Sequence, residues 1–179
     1  AEAAYSCRRW ITVNPMETVV EPRTQIPVRY TIRIPAEAME GSFHCAIGFT
    51  SMPANRDIQG IGVHSAVRVV STMYPIVGKP LVTGAISDLA LERIGSGEKA
   101  SWRSVLLLDN SGLTLYRPKG SIQLLDTSGA VVEKMEIVSF PVLPRRQQRF
   151  LLPLKTPLAP GRYTLQARVD LGSEVQEAS

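Results

Sequence analysis

The chain has 179 residues, of which 44% are hydrophobic and 20% are charged, so it can build the cores of one or two globular domains. No apolar run approaches the ~20 residues that cross a bilayer as a helix, so we expect no membrane-spanning helix. The net charge of +4 favours acidic partners, although arginines alternating along strands also keep β-proteins soluble.

The beginning of the chain shows the period of two that is typical of β-strands. A polar lead-in segment precedes a short predicted strand at residues 10–14. Apolar residues then alternate with polar ones at residues 26–34 and again at residues 43–49. A helix with this pattern would carry apolar residues all round its surface, so these runs predict strands with one buried face.

A longer extended run at residues 61–77 follows a loop predicted at residues 51–60. Its length, a serine at a core-facing position and the kink implied by Pro75 predict an edge strand. The residues that share one face of this run are Val63, Ser65, Val67 and Val69. The next three residues, Gly78 to Pro80, predict a short linker.

Further strands are predicted at residues 81–94 and 101–109, and a hairpin at residues 120–137 turns at Thr127-Ser128-Gly129. Two more alternating runs close the chain. The ten residues after Val169 look too few and too polar to form a good final strand.

One stretch occurs twice, at residues 20–49 and 142–169, with matching prolines, glycines and aromatic residues. The aromatic residues, Phe43 and Tyr163, lie where immunoglobulin-like domains often carry the tyrosine corner. We therefore predict an all-β protein with two tandem immunoglobulin-like sandwich domains, residues 1–77 and 78–179. The alternative is an unrelated β-meander repeated through similar composition.

The first predicted domain has about four strands fewer before its repeated stretch than the second domain has. An incomplete sandwich leaves apolar positions and backbone groups unpaired. Either a partner chain supplies strands, or the sequence is a fragment of a longer protein, and the fragment is the favoured interpretation.

Two cysteines, Cys7 and Cys45, leave a disulfide and two buried thiols as equal alternatives, since a bridge requires the lead-in segment to cross the core. The only histidines, His44 and His64, are too few for a metal site, because His44 and Cys45 alternate to opposite faces. No nucleophile has a visible base partner. We therefore expect a protein without enzymatic activity, metal or cofactor.

Basic residues occur in two places of interest. The group Arg145, Arg146 and Arg149 lacks the interleaved aromatic residues of a single-strand binding surface, so we expect no nucleic acid partner. Arg68 and Lys79 flank the predicted domain junction. They would either bind a carboxylate in a cleft between the domains or form a structural salt bridge.

Taken together, the tandem sandwiches, the long alternating strand with Val63, Val67 and Val69, the loop before it and the Tyr74-Pro75 exit resemble the PapD-like periplasmic chaperones of pilus assembly. The resemblance implies that the strand edge pairs with an incomplete subunit fold. It also implies that basic residues in the interdomain cleft anchor the terminal carboxylate of the subunit, with Arg68 as the matching position.

The sequence therefore predicts an exported bacterial binding protein, periplasmic, secreted or at the cell surface, that takes a pilin-like partner by strand addition along residues 63–70. A proline at Val67 is expected to abolish this binding. The alternative is an accessory or adhesion module of a larger surface protein that contacts carbohydrate. The unpaired sandwich edges would also allow two copies of the chain to form a homodimer.

Overall fold

The computed structural model describes residues 4–52, 66–97, 100–172 and 175–179. These residues form β-strands and one short 3₁₀ helix, Arg8–Trp10, so the predicted all-β class is confirmed. By its contacts the chain divides into unit 1, Ala1–Met39 with Phe43–Val77, and unit 2, Glu40–Ser42 with Gly78–Ser179.

Unit 1 contains two antiparallel two-stranded sheets. Its strands are β1 (Ile11–Asn14), β2 (Arg29–Ile32), β4 (Cys45–Thr50), β5 (Arg68–Met73) and the short β6 (Ile76–Val77), whereas β3 (Gly41–Ser42) belongs to unit 2. One sheet pairs β1 with β2, and the other pairs β4 with β5. Among the described residues of unit 1, only Cys7 and Phe43 are buried apolar residues, so this unit has a very small core.

Unit 2 is built from a three-stranded and a four-stranded sheet. Its remaining strands are β7 (Gly84–Ile94), β8 (Ser101–Asn110), β9 (Lys119–Leu125), β10 (Val131–Glu136), β11 (Arg146–Pro153), β12 (Thr164–Asp170) and β13 (Val175–Ala178). The sheet orders are β11-β8-β7 and β10-β9-β12-β13. Alternating side chains from both sheets, including Leu106, Ile122 and Val169, form one buried cluster, which is the arrangement of a β-sandwich.

The repeated stretch has the same role in both units. In unit 2 its strands β11 and β12 lie in different sheets, and in unit 1 β2 and β4 also lie in different sheets. The Tyr163 hydroxyl donates a hydrogen bond to the Ala159 carbonyl at 2.9 Å, as the tyrosine-corner interpretation requires. Phe43 has no hydroxyl, and its ring instead lies 4.3 Å from that of Trp10. The immunoglobulin-like connection itself stays a prediction.

The end of the chain differs from the expectation. Residues after Val169 were expected to be too polar for a strand, yet β13 pairs with β12 from Asp170↔Val175 to Ala167↔Ala178. The expectation was wrong because β13 is a short edge strand, and an edge strand needs few apolar residues to be held by backbone hydrogen bonds. The predicted hairpin of β9 and β10 is confirmed, with Asp126 accepting hydrogen bonds from its turn.

Three charged residues link the strands of the three-stranded sheet. Glu92 on β7 accepts hydrogen bonds from Arg103 on β8, at 2.8 and 2.9 Å, and it also pairs with Arg149 on β11. The hydrogen bond from Arg103 holds the pKa of Glu92 below its usual range. Arg149, one of the three arginines of the basic group in the sequence, therefore belongs to an ion-pair network on the outer face of the sheet.

Glu133 on β10 gives a prediction about acid stability. Its carboxylate accepts backbone hydrogen bonds from Lys155 at 3.0 Å and Thr156 at 2.9 Å. Burial raises the pKa of Glu133, but these bonds outweigh burial and leave the pKa below its usual value. The stabilisation that these hydrogen bonds give the folded state is then complete above the pKa of Glu133 in the unfolded chain, about 4.3. It is lost as the pH falls through the pKa of Glu133 in the folded state.

We expect Glu133→Gln to lower the free energy of unfolding of unit 2 by about 1 kcal/mol at neutral pH and by much less at about pH 3. Urea titrations at both pH values measure the difference. Asp88 in unit 2 is exposed, and its side chain makes no hydrogen bond or ion pair with any residue that the structure describes, so Asp88→Asn is the control. A loss for Glu133→Gln of the same size at both pH values would contradict the prediction.

Candidate functional site

Part of the predicted extended run forms the strand β5, which pairs with β4 in antiparallel register. Val67 and Val69 are 60% and 61% exposed, although both carry large apolar side chains. The other two predicted positions, Val63 and Ser65, lie outside the described residues. Within the described ranges β5 has no strand other than β4 as a partner, so its second side is an open edge.

The hydrogen bonds show which residues face this open edge. Ser51 donates its N–H to the Val67 carbonyl, and Phe43 donates its N–H to the Pro75 carbonyl, each at 2.8 Å. Hydrogen-bonded pairs alternate along an antiparallel ladder, so the odd-numbered residues of β5 bond to β4. The backbone N–H and C=O groups of Arg68, Val70 and Thr72 therefore point away from β4.

This register changes the expected role of Val67. Its backbone N–H points to the Ser51 hydroxyl oxygen at 3.2 Å, and its carbonyl accepts from the Ser51 N–H. A proline at Val67 would break a contact inside unit 1 and would leave the open edge intact. The position that tests strand addition is Val70, because its N–H faces outward.

An exposed apolar face lies beside the open edge. Phe49 on β4 stands directly opposite Val69 on β5, so their side chains share one face of the sheet. Phe49 is 43% exposed, and Tyr30 in the other sheet of unit 1 is 56% exposed. Exposed apolar side chains that share a face, as Phe49 and Val69 do, often mark a binding surface, so unit 1 offers a partner both backbone groups and apolar contacts.

The two basic residues of the predicted cleft lie in different units. Arg68 extends over Gly48, and a Cβ at Gly48 would lie 2.9 Å from the Arg68 Nη2 atom. Arg68 forms no ion pair with any residue that the structure describes. In unit 2 the Lys79 backbone N–H donates to the Glu40 carboxylate at 2.7 Å. Carboxylate binding by both residues together stays a prediction.

The geometry of unit 1 thus defines one candidate site, the open edge of β5 and the apolar face beside it. No family model, curated protein or solved structure matches the chain. The resemblance to PapD-like chaperones stays a prediction, and support for a function comes from the contacts of the site itself.

Cys7 and Cys45 form a disulfide, which resolves the two alternatives left open by the sequence. The lead-in segment reaches Cys45 by running beside the start of β4, where Cys7 donates its N–H to the His44 carbonyl and His44 donates to the Tyr5 carbonyl. The bridge therefore fixes this segment along the side of β4 opposite β5. It leaves the edge of β5 open.

The two histidines singled out in the sequence remain. The His44 Nδ1 atom is buried and has no hydrogen-bond partner among the residues that the structure describes, and His64 lies outside those residues. In the described ranges, no three His, Cys, Asp or Glu side chains come together in a way that could hold a metal ion. No helix among the described residues has the length and apolar character to cross a membrane.

Proposed function

We propose that the chain is an exported protein that binds a partner protein by β-strand addition along β5. The observation that carries the proposal is the open edge at Arg68, Val70 and Thr72 with exposed Val69 and Phe49 beside it. A strand added there satisfies outward backbone groups and covers apolar surface in one step. The resemblance to pilus chaperones favours a pilin-like subunit as the partner.

The same geometry defines the added strand. Side chains of a β-strand alternate between two faces, so one row of the added strand would extend the face of Val69 and Phe49 and should be apolar. The other row would lie beside Arg68, whose guanidinium forms no ion pair in the described part of unit 1. An acidic residue in that row would complement its charge.

The disulfide supports export. Disulfides form and persist in oxidising environments such as the bacterial periplasm and the cell surface, and they are rare in the reducing cytosol. The Cys7–Cys45 bridge joins the lead-in segment to β4, so oxidation helps to assemble the unit that carries the edge. The bridge therefore supports the proposal that the protein works in the periplasm or outside the cell.

Val70→Pro tests the proposal. A synthetic peptide of about ten residues, alternating valine with polar residues and carrying one aspartate, serves as the probe. We expect Val70→Pro to weaken peptide binding about tenfold, because it removes one outward donor and keeps every hydrogen bond to β4. Isothermal titration calorimetry measures the affinity.

Val70→Thr is the matched control, because it keeps the N–H and the branched side chain and should bind like the original chain. Val67→Pro should instead lower the stability of unit 1, because it removes the donor to Ser51. Equal binding by the Val70→Pro and Val70→Thr variants would refute strand addition at this edge.

Two other outcomes would redirect the proposal. Concentration-dependent dimers that disappear in the Val70→Pro variant would identify a second copy of the chain as the partner. Binding to polysaccharide that is unaffected by Val70→Pro would favour an adhesion module. Sedimentation measurements without peptide and a glycan-binding assay separate these outcomes from strand addition to a different protein.

A further inference from the structure

A cleft of about 530 Å³ opens at one end of unit 2, far in sequence from the β5 edge. It lies where β7 and β8 of one sheet meet the segment that leads into β12 of the other sheet. The lining side chains used in the argument are Leu91, Arg93, Trp102, Leu158, Pro160 and Tyr163. The volume falls within the roughly 300–1,000 Å³ that is usual for small-molecule sites.

The register places an exposed arginine at the end of an inward-facing row of side chains in this cleft. Arg93 stands directly opposite Trp102, and Leu91 stands opposite Ser104. Ser104 and Leu106 are fully buried, so alternation puts Trp102 on the same inward row of β8. Arg93 therefore ends a row of side chains that otherwise faces the sandwich core.

Few of the described residues that line the cleft carry a polar side chain. The Arg93 guanidinium and the Trp102 indole N–H make no hydrogen bond or ion pair with any residue in the described ranges. The Tyr163 hydroxyl already donates to the Ala159 carbonyl. One position deeper than Trp102, the buried Ser104 hydroxyl also has no hydrogen-bond partner in the described part of the chain. Among the described side chains that line it, the cleft thus offers one cation and one indole donor beside aromatic and apolar groups.

This chemistry selects a ligand with an apolar body and a single anionic group. An arginine fork binds a carboxylate through two parallel hydrogen bonds, and tryptophan and tyrosine rings pack well against flat apolar groups. We propose that the cleft binds aromatic or branched aliphatic carboxylates, with the carboxylate on Arg93 and the apolar group against Trp102 and Tyr163.

The test uses the whole chain, labelled with ¹⁵N, and two matched probes, naphthalene-2-carboxylate and the neutral naphthalene-2-carboxamide. The chain has two tryptophans, so two indole N–H signals are expected, and Trp102→Phe assigns them. We expect the carboxylate to shift the Trp102 signal in a saturable way and to leave the Trp10 signal unchanged. The carboxamide should bind about tenfold more weakly.

Arg93→Met separates charge recognition from apolar binding. We expect it to weaken carboxylate binding about tenfold and to leave carboxamide binding unchanged, because it removes the cation and keeps a long apolar side chain. Arg146→Met is the control, since Arg146 is exposed and does not line the cleft. Arg93→Lys, which keeps the charge without the fork, should give an intermediate affinity.

Two results would overturn the proposal. The first is that the carboxylate causes no saturable shift of the Trp102 indole signal. The second is that both probes bind with equal affinity and that Arg93→Met changes neither affinity. The result is independent of strand addition, because the cleft belongs to unit 2 and the edge to unit 1.

Discussion

Replacing both Cys7 and Cys45 by alanine is expected to lower the free energy of unfolding of unit 1 by roughly 4 kcal/mol. The bridge closes a loop with a sequence separation of 38 residues, and its loss restores the chain entropy of that loop to the unfolded state. Small domains are stable by only about 5–15 kcal/mol, so this loss is large. It falls on a unit whose described residues include only two buried apolar residues.

Hydrogen exchange, followed separately in peptides of each unit, measures the effect. Amides of β4 and β5 should exchange much faster in the double variant, and amides of β8 and β9 should keep their protection. The single variant Phe43→Ala is a useful comparison, because it removes the other buried apolar residue and keeps the bridge. Unchanged protection of β4 and β5 in the double variant would contradict the prediction.

Gly120→Ala is expected to destabilise unit 2 by more than about 4 kcal/mol, a size that few single substitutions reach. Gly120 has φ +147°, which L-residues with a side chain rarely adopt. A Cβ at this position would lie 2.0 Å from the Arg168 carbonyl oxygen on β12. To remove this clash, β9 and β12 would have to separate at the centre of the four-stranded sheet.

Gly129→Ala is the matched control for Gly120→Ala. Gly129 also has positive φ, +82°, but a Cβ there meets no atom of the described residues within 4 Å. Gly129→Ala should lower the free energy of unfolding only by the backbone penalty of about 1–2 kcal/mol. Chemical denaturation of both variants, followed by Trp102 fluorescence, gives the comparison. Equal losses of unfolding free energy in the two variants would show that the close approach of the Arg168 carbonyl oxygen does not cause the instability of Gly120→Ala.

Much of the fold could be predicted from the sequence, because alternation has a direct physical cause. Side chains that point in turn to core and solvent must repeat every two residues, which located the strands at residues 26–34, 43–49 and 101–109. The turn residues Thr127 to Gly129 located the hairpin. The repeated stretch predicted two strands in each copy, and the structure adds that these strands lie in different sheets in both units.

The details of the site depended on information that alternation does not carry. Alternation gives the face of a side chain, but the direction of a backbone N–H depends on which pairs of the ladder are hydrogen-bonded. The sequence therefore pointed to Val67, and the register pointed to Val70. The final strand β13 was missed because its stability comes from backbone pairing with β12, which polar side chains do not reveal.

The cleft in unit 2 was also missed. Arg93 and Trp102 are nine residues apart in the sequence, and only the β7–β8 register brings them face to face. Tyr163 lies in the second repeated stretch. More than half of the residues of unit 2 separate it from Trp102 in the sequence, yet it lines the same cleft. The available signal in the sequence was that Arg93 continues the alternating apolar row of Leu89 and Leu91. This pattern looks the same as that of an ordinary strand that ends in a polar residue.

The disulfide also bears on how unit 1 can change over evolutionary time. Where a covalent bond holds a small unit together, its exposed apolar residues, such as Tyr30, Phe49 and Val69, contribute little to keeping it folded. Selection can then alter these residues for a new partner with little risk of unfolding. The tightly filled core around Leu106 and Ile122 in unit 2 has no such freedom, so diversification should concentrate in unit 1.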